Sequence, residues 1–96
     1  MTKANLVQEI SRQTGIIRKD VAIVVDSFLE AIKQNLERGR HIEIRGFGTF
    51  KNKERKKRIG RNPKTGIEVS IPSRMVPSFK FSKYLKDGVA QKSKNL

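Results

Sequence analysis

The sequence predicts an α+β domain: two N-terminal helices, a three-stranded antiparallel sheet with a long protruding β-ribbon arm, and a short C-terminal helix. Three observations predict it. Val21, Val24, Val25, Phe28, Leu29, Ile32 and Leu36 recur at spacings of three and four, which lines one face of a helix. After Gly39 the period drops to two, with Ile42 and Ile44 alternating with His41, Glu43 and Arg45. From Lys51 to Ile59 almost nothing is apolar, so a strand there can bury neither face and has to project into solvent.

Each element follows in order. Thr2 suits the N-cap of a first helix carrying Leu6, Val7 and Ile10, and Gly15 suits its end. The second helix spans about Arg18 to Arg38, with Gly39 closing it and Ile17 a poor cap at its start. Gly46 and Gly48 bracket Phe47, so the chain bends or bulges there while Phe47 and Phe50 turn inward. The run Gly60-Arg61-Asn62-Pro63-Lys64-Thr65-Gly66 has the turn formers of a hairpin tip. Ile67, Val69 and Ile71 bring the chain back, Pro72 and Pro77 place the return at a sheet edge, and Phe79 and Phe81 end it. Ser82 caps a last short helix through Tyr84, Leu85 and Val89. The domain is expected over residues 1–90, with the arm at about 52–72 and residues 91–96 as a flexible basic tail.

Ninety-six residues allow one small domain, and an apolar share of 35% against 32% charged residues implies a thin core. Twenty-two Lys and Arg against nine Asp and Glu leave a net charge of +13, which asks for a polyanionic partner. Residues 51–64 hold eight basic residues and one acidic residue, Glu54, so fourteen positions carry more than half of the excess. The absence of cysteine removes disulfides, thiolate zinc sites and cysteine nucleophiles. No stretch approaches the ~18 apolar residues of a membrane span, and the N-terminus lacks a secretory apolar region. A soluble, cytoplasmic protein is expected, with no membrane or small-molecule partner, no metal and no cofactor.

Catalysis has little to stand on. His41 is the one histidine, at a strand start, and Asp20, Asp26, Glu30 and Glu37 are spread along a helix whose polar face needs charge anyway. The glycines at 46 and 48 precede no phosphate-binding loop. The arm suits binding instead. Lys51, Lys53, Arg55, Lys57 and Arg61 fall on one alternation and Lys56, Arg58 and Lys64 on the other, and arginine is favoured where a narrow minor groove concentrates negative potential. Pro63 has two roles open to it, turn geometry and an apolar wedge between base pairs, and spacing alone favours the turn. Arg45 lies just before the Gly-Phe-Gly bend, near where the arm is expected to leave the body. It has two roles open too, reaching a groove or facing solvent beside Glu43.

Gly46-Phe47-Gly48-Thr49-Phe50, the tip from Gly60 to Gly66, and Val76-Pro77-Ser78-Phe79-Lys80 resemble the HU and integration host factor family of bacterial DNA-bending proteins, over residues 1 to about 90. The resemblance implies an intertwined dimer, a homodimer or a pair with a paralogue, whose arms embrace double-stranded DNA in its minor groove and bend it. It makes Pro63 the wedge, sets Arg61 and Asn62 beside it, and lines the arm with Lys53, Arg55 and Arg58, to which the basic run itself adds Lys56, Lys57 and Lys64 as DNA-binding residues. Lys3, Lys80, Lys83 and Lys86 become candidates for phosphate contacts from the body, and Phe47, Phe50 and Phe79 the aromatic core of the dimer interface, which Phe28 joins because the phenylalanines need a shared core. Ile17, where a polar cap is usual, and Ser82, where glycine is common, depart from the family pattern. The expected function is sequence-tolerant DNA bending that contributes to nucleoid compaction. A site-specific bender of the integration host factor type, or an RNA-binding structural protein, are the alternatives; a nuclease lacks clustered carboxylates. Size argues for a dimer independently, because about 70 residues outside the arm and tail bury too little surface alone.

Overall fold

The computed structural model describes residues 1–93. Helix α1 (Lys3–Thr14) starts at a reciprocal cap. The Thr2 hydroxyl accepts the Asn5 N–H at 3.3 Å, and the Asn5 side chain accepts the Thr2 N–H at 2.8 Å. Two donors that a helix start leaves without partners are thereby satisfied. Gly15 ends the helix at φ 76°, a left-handed conformation that suits glycine, and its N–H reaches the Ser11 carbonyl at 2.9 Å.

Helix α2 (Arg18–Glu37) has no side-chain cap, since Ile17 offers none, but Asp20 in its first turn faces the positive end of the helix dipole. The two helices pack on each other, with Val7 and Val21 the buried apolar side chains among the described residues. The rest of the α2 stripe is open: Val24 is 67% exposed, Phe28 54% and Leu29 48%. An apolar face left this bare marks an interaction surface.

Strands β1 (Ile42–Ile44) and β2 (Gly48–Arg55) are joined by a turn that Phe47 N–H closes onto the Ile44 carbonyl at 2.9 Å. Gly46 sits third in that turn at φ 80°, where a type II turn demands glycine. The chain continues through β3 (Arg58–Arg61), β4 (Glu68–Ile71), β5 (Arg74–Phe81) and helix α3 (Lys83–Ser93). One antiparallel sheet has the order β1-β2-β5, and β3 pairs with β4 in a second.

The three expected strands are present, but two of them are interrupted at the same level. Lys56 and Lys57 break the outgoing strand, and Pro72 and Ser73 break the return. Arg55 pairs with Arg74 before the gap and Arg58 with Ile71 after it, so the register runs through unshifted and no bulge is inserted. Pro72 has no N–H to give the ladder at this level, which accounts for a gap rather than a change of pairing.

Aromatic rings cover the inner face of the first sheet. Phe79 lies 4.5 Å from Phe50, 4.7 Å from Phe81 in edge-on contact and 5.5 Å from Phe47, centroid to centroid. Gly48 makes room for them, because a Cβ there would fall 2.4 Å from Phe79 Cζ and 2.5 Å from the Lys80 carbonyl oxygen. Ser82 then knots the last strand to the first turn: its hydroxyl donates to the Gly46 carbonyl at 3.0 Å and its N–H to the Phe47 carbonyl at 2.9 Å. The same hydroxyl accepts the Leu85 N–H at 3.1 Å and so caps α3. Gln91 to Ser93, expected in the tail, continue this helix, and 94–96 lie outside the described residues.

The radius of gyration is 19.3 Å and the longest extent 58 Å. A compact chain of similar length measures about 13 Å, so the ribbon stands well clear of the body.

Candidate nucleic-acid interface

Strand alternation sorts the side chains of β2 onto two faces. Phe50 and Asn52 lie on the face turned to α2, where the Asn52 side chain donates to the Leu36 carbonyl at 2.8 Å. Thr49, Lys51, Lys53 and Arg55 therefore occupy the outer face, alongside Lys80, Ser78, Val76 and Arg74 directly across from them on β5. Five cations thus share one side of two strands. From α3, Lys83 and Lys86 border a hollow that Thr49 and Lys80 also line, and Lys86 lines a second with Lys51 and Lys53.

Arg74 carries no local signal in the sequence, since it stands alone among uncharged neighbours outside the dense basic run. Counting register inward from the Gly60–Gly66 tip pairs it with Arg55. Like charges directly opposite cost stability until an anion comes between them.

Beyond the gap the ribbon has no core to lean on. Ile59 is 71% exposed, Ile67 64% and Val69 50%. Arg61 faces Glu68, with Nη2 3.8 Å from Oε1 and both side chains mostly exposed, a weak pairing that a phosphate can replace. Lys56 and Lys57 sit in the gap itself, and Arg58 opens β3.

The tip is tied through Asn62. Its N–H donates to the Ile67 carbonyl at 2.9 Å, its carbonyl accepts the Gly66 N–H at 2.8 Å, and its side-chain oxygen accepts the Lys64 N–H at 2.9 Å. Gly66 takes φ 70°, which lets the chain turn back. Pro63 is enclosed by these bonds yet exposed to solvent, so its rigid ring serves the turn and is presented at the apex as well. The two roles are compatible.

Two body residues have neighbours that helix packing and strand direction decide. Lys3 Nζ lies 2.6 Å from Asp26 Oδ1, so this cation is engaged by a carboxylate on α2. Arg45 lies in the turn that precedes β2, whereas the arm leaves the body at the other end of that strand. An eight-residue strand separates them by on the order of 20 Å. Arg45 is exposed beside the knot at Ser82 and belongs to the α3 end of the molecule. Among the aromatic residues, Phe47, Phe50 and Phe79 form one cluster, while Phe28 on α2 remains half exposed.

Among the described residues, no group of three or more His, Asp or Glu is placed to hold a metal, and no helix is long and apolar enough to cross a membrane.

Comparison with known proteins converges on one family. The family model described as "Bacterial DNA-binding protein" matches residues 1–90. Integration host factor subunit alpha of Rhizorhabdus wittichii is 45% identical over 89 residues, 93% of this chain and 89% of its own length. The DNA-binding protein HU of Staphylococcus aureus is 40% identical over 89 residues, 93% of this chain and 99% of its own. An Anabaena HU–DNA cocrystal structure superposes with a TM-score of 0.88 at 36% identity, covering 94% of this chain and 98% of that one. With its helices, three-stranded sheet and basic ribbon all accounted for, the chain belongs to the bacterial DNA-binding protein family that includes HU and the integration host factor subunits.

Proposed function

We propose that two copies of this chain intertwine into a dimer that grips duplex DNA between its arms, bends it and helps to condense the bacterial nucleoid in the cytoplasm. The protein is an architectural element and carries out no chemistry on its partner. One observation carries the reading: Pro63 stands at an exposed tip whose turn is closed by the bonds of Asn62, on a ribbon lined by cations from its root to its end. A proline presented in this way is suited to enter between base pairs from the minor groove, as described for the benders of this family. Unstacking costs a few kcal/mol per step and is offset by the added contacts of a wrapped duplex.

The exposed apolar side chains of the arm fit the same picture. Ile59, Ile67 and Val69 have no protein to cover them and would lie against the sugars of the groove walls. The uncovered Val24, Phe28 and Leu29, with Phe47 and Phe81 half exposed beside the ring cluster, call for a second copy. A pairing partner of the same chain suffices for this, and a paralogue with the same face would serve equally.

Lys53, Arg55, Lys56, Lys57, Arg58, Arg61 and Lys64 are assigned to the arm's groove contacts, with Asn62 setting the wedge. Lys80, Lys83 and Lys86 are assigned to phosphates along the flank, where Lys51 and Arg74 join them. Counterion release then drives binding: about 8–10 neutralised phosphates give a slope of log K against log salt near −7 to −9. Because the minor groove presents a degenerate pattern, preference follows deformability, with nicks and flexible steps favoured. Ligation-mediated circularisation of short intact, nicked and random duplexes tests binding, bending and tolerance together. Faster ring closure with little sequence preference is expected; bound fragments that close no faster than free ones would refute bending. Stronger competition by duplex RNA than by duplex DNA would redirect the assignment to RNA.

A further inference from the structure

We infer that Asn52 is the positioning residue that fixes the angle at which the arm leaves the body, and through it the size of the DNA bend. The inference rests on the bending function proposed above. Asn52 is the last residue of β2 that is not exposed; Lys53, Glu54 and Arg55 beyond it all are. Its amide N–H donates at 2.8 Å to the carbonyl of Leu36, in the last turn of α2. Among the described residues, no other hydrogen bond joins α1 or α2 to the sheet. The bond therefore ties the root of the arm to the rigid helical layer at the level where the arm departs.

The local chemistry makes this tie directional. The open hollow beside it is mainly apolar, through Leu29, Ile32, Phe50 and Met75, with Lys33 and Glu37 also on its lining, which favours keeping the half-buried amide bonded to the Leu36 carbonyl. That acceptor is at the negative end of the α2 dipole and already takes the Gly39 N–H at 3.0 Å, leaving one lone pair for Asn52. Pro77, directly across on β5, cannot donate to the strand pairing at this level. An apolar side chain would fill the same space but could slide; the hydrogen bond selects one orientation.

Leverage makes the orientation matter. Eleven residues separate Asn52 from Pro63, roughly 36 Å of extended chain whose register continues across the gap, so a tilt of about 10° at the root moves the wedge by roughly 6 Å. Successive bases along a strand are about 3.4 Å apart, so such a tilt displaces the kink by nearly two steps.

The test uses the full-length dimer and its Asn52→Val and Asn52→Asp variants, bound to an end-labelled duplex whose ends are followed by single-molecule energy transfer. Val removes the donor and leaves a shorter apolar side chain in its place; Asp keeps the shape and sets an acceptor against a carbonyl. The expected result is a narrow bent population for the unaltered protein, and for both variants a broader, less bent one, wider for Asp. Melting temperature should stay within a few degrees for Val, and affinity for a nicked duplex, which bends without a precise wedge, within about twofold. An unaltered bend distribution in folded Asn52→Val overturns the inference, as does a bend that recovers with melting temperature when a stabilising osmolyte is added. If the unaltered protein itself leaves the duplex straight, the bending function fails instead, so the two failures are told apart.

Discussion

The body and the arm share strands but are held together by opposite means. In β2 the body half carries Gly48, Phe50 and Asn52 on its inner face, packed against Phe79 or bonded to α2, while the arm half carries Lys53, Glu54 and Arg55, all exposed. The body lacks only a cover for its apolar stripe, the place proposed for a second chain. The arm lacks a core altogether and sets Arg55 against Arg74 at its root, an arrangement that becomes favourable when an anion arrives. The contrast teaches that one ladder can be stabilised by burial at one end and by its ligand at the other.

Substitutions should separate the two halves. The largest effect is expected from Phe79→Ala, which removes the ring at the centre of the cluster and costs roughly 3–5 kcal/mol per chain. Thermal melts over a range of protein concentrations read this directly, and their midpoints should rise with concentration as a dimer requires. A loss below about 1 kcal/mol would mean that the rings do not hold the body together.

Next in size is the arm. Joint replacement of Arg55, Arg58 and Arg61 by Glu should lower DNA affinity about a thousandfold at ~0.1 M salt and flatten the salt slope. The melting temperature should hold, because relief of the Arg55–Arg74 repulsion offsets the exposed Arg61–Glu68 pair that is lost and reversed. If the variant instead melts early, the arm contributes to the stability of the body and the division between them is false.

Pro63→Ala should cost less than about tenfold in affinity while clearly reducing the bend, since the phosphate contacts remain. Circularisation by the variant at the unaltered rate would remove the wedge. Ser82→Ala should cost about 1 kcal/mol, by loss of a helix cap and of the bond to Gly46, with DNA binding unchanged in the folded protein. The smallest effect belongs to Asp26→Asn, which frees Lys3 and should tighten DNA binding about twofold, as expected for an exposed pair. Titrations at two salt concentrations would detect it, and no change would mean that Lys3 stays away from the duplex.

Much of the fold was legible because its signals are local. Thr2 and Gly15 bound the first helix through groups within four residues, and the tip folds on bonds that begin or end at Asn62 and Thr65. The apolar stripe of α2 and the alternation at Ile42 and Ile44 needed only their own periods. What escaped depended on residues far apart in the chain. Arg74 matters because it faces Arg55, Lys3 is engaged because Asp26 comes alongside it, and Arg45 stands away from the arm because of the direction in which β2 runs.

The sequence by itself determined the elements, the tip and the concentration of positive charge between residues 51 and 64, since each is a property of near neighbours. Tertiary structure alone decided which cations share a face, where the ladder parts at Pro72, and that Asn52 meets the end of α2. Pairing across strands and layers is set by register and packing direction, which a linear string of residues encodes only through the completed fold.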